Sequence, residues 1–448
     1  MPNVDVIPSE HFNTVLYTGT GNAQNITGVG FKPDFVWAKK RSEAGWHHLF
    51  DAIRGPALPL YSNETDADNS SAQSLTSFNA DGFSLGTAGG LGGDSPPING
   101  VSWNWKADTT PSKTYAVTVV SDSGNKYRFD GFGTSAVTLD LQEGGTYKFD
   151  QSHSSNSSHP FRFGTSSNAY NYSTGVTTSG TPGNAGAYTQ ITVAANAPAL
   201  YYACSSHSGM GGAANTNSTS GSSNFSGAIQ SKNSANVDAG FSIVSYTGTG
   251  SAATIGHGLS KKPEMILIKR RDDAAGWRVF HDANAANYHL VLDTAAARAS
   301  SSSIFNNTEP TSSVFTVGTG GSTNASSGTF ITYCFHSVAG YSQFGSYTGN
   351  GNANGPYVHL GFRARFILTK NSSASTSWVL TDTARSTHNV TSHALMANAS
   401  TAEQAYAYFD ITNNGFKVRN SSSWVNGNGN TIIYMAFAET PAKYSNAR

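Results

Sequence analysis

Apolar and polar positions alternate over short spans along most of this 448-residue chain, and Gly, Asn, Ser and Thr interrupt them every few residues. A period of two over four to eight residues predicts strands, and the interruptions predict turns. Helical periodicity is scarce. The best run of helix formers, Leu292 to Ala299, is short and poorly patterned.

The pattern repeats. Tyr17-Thr-Gly-Thr-Gly21 returns as Tyr246-Thr-Gly-Thr-Gly250 and as Tyr347-Thr-Gly-Asn-Gly351. About a dozen residues on come Gly30-Phe-Lys-Pro-Asp-Phe-Val-Trp-Ala-Lys39, Ser260-Lys-Lys-Pro-Glu-Met-Ile-Leu-Ile-Lys269 and Gly361-Phe-Arg-Ala-Arg-Phe-Ile-Leu-Thr-Lys370, each a turn and then a buried-strand pattern ending in Lys. A tryptophan follows in each (Trp46, Trp277, Trp378), expected to pack in the core rather than to serve as a stacking platform for a sugar ring, and then an aspartate (Asp51, Asp282, Asp382), expected to cap a turn or backbone. His47 and His48 show no partner cluster and read as exposed. Asp81-Gly-Phe, Asn414-Gly-Phe and the weaker Ser313-Val-Phe precede the closing aromatic strands, Val101 to Trp105, Ile331 to Phe335 and Ile433 to Phe437. The alternation in these strands predicts one packed and one wetter face. Three copies of about 100 residues result, over 12–107, 241–338 and 341–440, each read as a sandwich of six to eight strands. The Ser/Thr/Asn-rich loops Tyr61 to Ser77 and Ala297 to Ser313 read as surface elements and as candidate binding loops.

Residues 108–240 break the repeat. Thr114 to Val120, Tyr127 to Phe129, Val137 to Leu141, Tyr147 to Asp150, Tyr188 to Ala194 and Ala199 to Ala203 read as strands. The Gly/Ser/Asn/Ala-rich stretch from Gly211 to Ala235 reads as a flexible linker. The expected division is 1–107, 108–240, 241–338 and 339–448.

Composition narrows the function. With 27 basic and 27 acidic side chains and 12% charged residues, no basic patch points to nucleic acid. No apolar run approaches the ~18 residues of a membrane span, and Met1 to Glu10 lacks the regions of a signal peptide. A neutral, Ser/Thr/Asn-rich surface without an export signal suits a particle released by lysis. Cys204 and Cys334 could pair, but they fall in different modules.

The sharpest chemistry lies in Tyr201-Tyr-Ala-Cys-Ser-Ser-His-Ser-Gly-Met-Gly-Gly212. Cys204, His207 and Met210 stand three residues apart and offer a soft donor set, with His159 the candidate fourth ligand. His153 reads as solvent-facing. His159, Cys204 and His207 could form a trigonal plane with Met210 as a long axial ligand, a geometry that suits copper; zinc, or an empty site, is compatible with the same residues.

This middle segment resembles the cupredoxins, which implies a Greek-key β-sandwich and a type 1 copper site at His159, Cys204, His207 and Met210. The repeats, with Ala436-Phe-Ala-Glu-Thr-Pro-Ala-Lys-Tyr-Ser-Asn-Ala-Arg448, resemble modules of structural proteins from marine tailed bacteriophages, including cyanophages. The middle copy departs from that pattern at Leu259-Ser-Lys-Lys-Pro263. The expected fold is therefore all-β, tandem antiparallel β-sandwich modules, one of them cupredoxin-like. The expected function is a non-enzymatic virion protein, in a tail fibre, tail tip or capsid decoration. Its expected partners are other virion proteins, further copies of itself and a host-surface glycan or protein. The alternatives are an electron-transfer copper protein and a glycan-degrading spike, which would need paired carboxylates in one cleft.

Overall fold

The computed structural model describes residues 6–92, 98–107 and 110–439, so the end of the terminal motif (440–448) and the start of the segment read for an export signal (1–5) lie outside the described residues. The chain is all-β, built as tandem sandwiches, and its only described α-helices are single turns at Ser302–Phe305, Gly321–Asn324 and Ser423–Asn426. The run from Leu292 to Ala299 forms none of them. No described helix is long and apolar enough to cross a membrane.

The three copies share one topology. In the first, Phe12–Thr18, Asn99–Trp105, Phe35–Lys40, His47–Asp51 and Gly55–Tyr61 lie in that order in an antiparallel sheet. A small sheet of Gln24–Thr27, Gly82–Leu85 and Leu75–Asn79 covers it. The third copy repeats this around Ala364–Asn371, and the second around Met265–Arg270 with a small sheet of two strands, Ala253–Gly256 and Val314–Val317. Asp81 pins the first copy's Gly-Phe-Lys-Pro turn by accepting from the Gly28 and Gly30 amides at 3.1 and 2.6 Å.

The central strands of each large sheet are buried on both faces. Val36, Ala38, Ile266, Ile268 and Ile367 point into the core of their own sandwich. Phe35, Trp37, Met265, Leu267, Phe366 and Leu368, one position out of phase, meet in a single core that all three copies share. Phe35 packs on Tyr333 at 4.2 Å between ring centroids, Trp105 on Phe366 at 5.8 Å, and Phe335 on Phe437 at 6.2 Å. The expected wetter face of the closing strands is therefore absent: Ser102, Asn104 and Thr332 are buried too. A strand covered on both sides has no face in water, so the alternation in these strands sets small polar residues inside the protein rather than on a solvated face.

Strand register corrects the alignment of the copies. Phe35 pairs with Asp51, Met265 with His281 and Phe366 with Asp382. His281, not Asp282, is thus the counterpart of the two aspartates, and His47, not Trp46, is the counterpart of Trp277 and Trp378. Trp277 and Trp378 are buried, and their indole N–H groups donate to Tyr61 O and Val291 O of the neighbouring copy. His47 takes the equivalent place, toward the backbone of Met396, and burial holds its pKa well below the ordinary value. His47 and His48 are therefore buried rather than exposed, and Trp46 is outside, 46% exposed.

The contacts between copies run in a closed cycle. Asp51 of the first copy accepts from Tyr333 Oη of the second at 2.8 Å, His281 of the second bonds Tyr434 O of the third at 3.1 Å, and Asp382 of the third accepts from Trp103 Nε1 of the first at 3.1 Å. Outside this ring, Asp68 sits between Arg54 and Arg271, and Glu403 between Arg385 and Arg41. At the third junction Arg298 donates to Asn284 and to Ser372 O instead. The loop from Tyr61 to Ser77 is accordingly in large part a clasp: Ser62 Oγ donates to Ala397 O, and Thr65 O accepts Lys269 Nζ.

The inserted sandwich stacks a sheet in the order Asn125–Phe129, Ser112–Ser121, Thr146–Asp150, Tyr188–Thr192, Val176–Ser179 on one in the order Leu139–Gln142, Gly212–Asn217, Leu200–Cys204, Phe161–Gly164. Two pairings are parallel, Thr146–Asp150 with Ser112–Ser121 and Leu139–Gln142 with Gly212–Asn217. The stretch read as a linker is structured. Gly212–Asn217 completes this sandwich, and Ser222–Asn224 and Ser231–Asn236 extend the second copy's sheet to eight strands. Small polar side chains allow this, because their backbones pair while their side chains bond inside. Asn233 accepts Lys113 Nζ at 2.8 Å, and Tyr115 Oη donates to Ser223 O at 2.8 Å.

Candidate metal centre

Strand pairing carries the candidate ligands to one end of the inserted sandwich. Phe161 lies opposite Cys204, so His159, two residues earlier, arrives beside the thiol where the two strands end. The His159 carbonyl accepts both Tyr127 Oη and Gln151 Nε2 at 2.9 Å, and its amide donates to Asn156 O. The approach of this histidine is therefore fixed by three hydrogen bonds before any ligand arrives.

On the other side the chain turns back at once. Ser206 N donates to Cys204 Sγ at 3.4 Å, which draws the loop around the sulfur and brings His207 over it. The loop is anchored further on by Gly209 N to Asn168 Oδ1 at 2.6 Å, by Lys126 Nζ on Gly209 O, and by Tyr127 N on Met210 O at 3.0 Å. Gly211 has to be glycine, since a Cβ there would lie 1.7 Å from Tyr202 O.

The result is a compact donor set. Cys204 Sγ is 3.9 Å from His159 Nδ1 and 3.7 Å from His207 Nδ1, and the three donor atoms lie within 4.8 Å of one another. An ion bound at about 2.0 Å to nitrogen and 2.3 Å to sulfur holds its N and S donors about 3.6–3.8 Å apart. The trio is thus close to the span that one shared ion requires. Cys204 is buried, His159 half-buried and His207 exposed. Burial, and then His207 nearby, lower the His159 pKa and favour the neutral imidazole that can ligate. Burial, and then Cys204, push the Tyr127 phenol up, so it stays a neutral hydrogen-bond donor.

Of the four residues expected to form the centre, the structure brings His159, Cys204 and His207 together. Met210 is buried in the same aromatic cluster as Cys204, with Tyr127, Phe161 and Tyr202 around it. His153 is exposed and bonds Ser155 Oγ at 2.9 Å, apart from the trio. Cys334 is a free, buried thiol in the second copy's core, and Cys204 is also free. Tyr127 and Gln151 carry no signature in sequence, because each meets His159 only through a backbone carbonyl.

A family model described as a domain of unknown function, DUF7483, matches residues 7–171 and 213–441. His159 falls within the first matched segment, whereas Cys204, His207 and Met210 fall between the two. No curated protein and no solved structure matches the chain.

Proposed function

We propose that this chain, which belongs to the DUF7483 family, is a structural protein of a phage particle surface whose inserted sandwich holds one soft metal ion. The metal reading rests on one observation, the convergence of a buried thiol and two imidazole nitrogens within 4.8 Å. A thiolate with two neutral imidazoles favours copper or zinc over hard cations, and a thioether at Met210 would add a weak axial donor for copper in the manner of a cupredoxin. Here the ion stiffens a loop on a rigid scaffold. Titration of the purified protein with Cu(II) is expected to give an intense visible thiolate-to-copper band at one equivalent, lost in Cys204→Ser. A colourless copper-loaded protein overturns copper, and no protection from thermal unfolding by either Cu(II) or Zn(II) overturns a metal role.

The structural role is supported by the closed ring of three sandwiches around one core, an architecture suited to holding surface loops in fixed relation for adhesion to a host. Its test is mass spectrometry of purified particles with labelled imaging; particles that lack the protein overturn it. Electron transfer is the second reading, favoured by the exposed edge of His207, which offers a short path from an ion to a docked partner. Cu(II)/Cu(I) cycling with an added redox dye would have to be fast for that reading to stand. The glycan-degrading alternative gains less: Asp51 and Asp382 are taken up by Arg54, Arg385, Tyr333 and Trp103.

A further inference from the structure

The copies differ at one place that the scaffold does not require. In the second and third, the tryptophan after the turn fills the core; in the first, a one-residue offset gives that place to His47 and leaves Trp46 outside, 46% exposed. A lone exposed ring is ordinary on a protein surface, whereas one grouped with other rings in a cleft marks a candidate binding site.

Trp46 is not an isolated ring. It leans on Tyr61, with centroids 4.8 Å apart and planes at 46°, and Tyr61 meets His48 edge-on at 5.0 Å and 80°. These rings, with Ser71, Ser74 and Lys40, line a cleft of about 450 Å³, within the range of small-ligand sites. Two glycines shape it: a Cβ on Gly90 would lie 3.2 Å from His48 Cε1, and one on Gly45 would lie 2.3 Å from Lys40 Cε. Among the described residues the lining has no carboxylate, and its one lysine, Lys40, is paired with Glu43 at 2.7 Å. His48 is held by its Nδ1 on Trp46 O at 3.2 Å, so rings and backbone form one preset unit.

We propose that this cleft binds a pyranose unit of a neutral glycan. A pyranose has an apolar C–H face that packs flat on an indole, and a rim of hydroxyls that the serines and the lysine ammonium can meet. A purely apolar ligand would offer the serine hydroxyls nothing, and an acidic one would meet an ammonium already neutralised by Glu43. The counterparts in the other copies cannot do this, because their indoles are buried and bonded to carbonyls. The proposal deepens the adhesion reading, and rests on it for the source of the sugar.

The test is binding of the full-length protein to an array of neutral and acidic bacterial oligosaccharides, followed by fluorescence titration with the best-retained sugar. The expected result is retention of neutral glycans, a shift in tryptophan emission, and at least a tenfold loss of affinity in Trp46→Ala, with a smaller loss in Ser71→Ala. Trp46 is outside the core, so its variant is expected to keep the wild-type melting temperature. An array that retains no saccharide, or affinity unchanged in Trp46→Ala, overturns the site. Failure of the site is distinct from failure of the particle role. Particles that carry the protein while the array stays blank overturn the cleft alone, whereas sugar binding through Trp46 in a protein absent from particles leaves the cleft standing.

Discussion

Asp51 and Arg54 are both fully buried, and each makes the other tolerable there: the carboxylate takes the guanidinium Nε and the Arg54 amide, and its second oxygen also takes the Tyr333 hydroxyl. Removing Asp51 leaves the buried guanidinium to Asp68, which it shares with Arg271, so Asp51→Ala should destabilise the protein by about 3 kcal/mol in urea unfolding. The second copy shows a neutral solution at the same positions, His281 and Asn284. The double variant Asp51→His/Arg54→Asn is therefore expected to cost less than Asp51→Ala alone. Lys39, Lys269 and Lys370 form a second set of buried charges, one per copy and at one register. Lys269 Nζ donates to Thr65 O and Ala275 O, and Lys370 Nζ to Ala295 O and Thr376 O. Burial lowers each pKa to about 8. Between about pH 8 and the unfolded value near 10.5, these lysines bind more protons in the unfolded chain, so their contribution to stability rises with pH in that window. Above pH 10 the trend reverses, because buried tyrosines such as Tyr17 and Tyr202 are held neutral by burial while unfolded ones ionise. Urea midpoints at pH 7.5, 9 and 10 should climb, and Lys269→Met should flatten the climb by on the order of 1 kcal/mol.

Among the strands, those buried on both faces depend most on their large side chains. Trp277→Ala removes a filled core position and an interstrand bond to Tyr61 O, and is expected to cost about 3–5 kcal/mol. Trp46→Ala, one position before the true counterpart His47, is expected to cost less than about 0.5 kcal/mol. Parallel thermal melts compare the two directly. This contrast also marks what sequence reveals. Many strand positions, the threefold repeat and the convergence of His159, Cys204 and His207 were legible, because apolar spacing and short motifs are local. The one-residue offset at Trp46 was not, because it becomes visible only when Phe35 is seen opposite Asp51 and Met265 opposite His281. The same holds for Gly211 to Ala235: its composition suits a linker, and only its partners, among them Lys113 and Tyr115, make strands of it. Tyr127 and Gln151 escaped because a bond to a backbone carbonyl leaves no residue pattern.

Across the whole molecule, the shared core makes the three sandwiches one cooperative body. Each inner sheet face, such as that of Phe35 and Trp37, is apolar and would be exposed in a separated copy. Calorimetry is therefore expected to show one transition for all three copies. The inserted sandwich, which has its own core, supplies any second transition, and a bound ion should move that one alone. Three resolved transitions for the repeats would contradict the shared core.

The ring closes within a single chain. In an assembly of identical subunits, every substitution appears at every junction, so no face can change without the others. Here each junction has its own codons: two carry a carboxylate between arginines, the third Arg298 with Asn284, and only one copy turns a tryptophan outward. An inserted sandwich likewise follows the first copy alone. Covalent linkage thus keeps the geometry of a threefold assembly while letting each third acquire a different task.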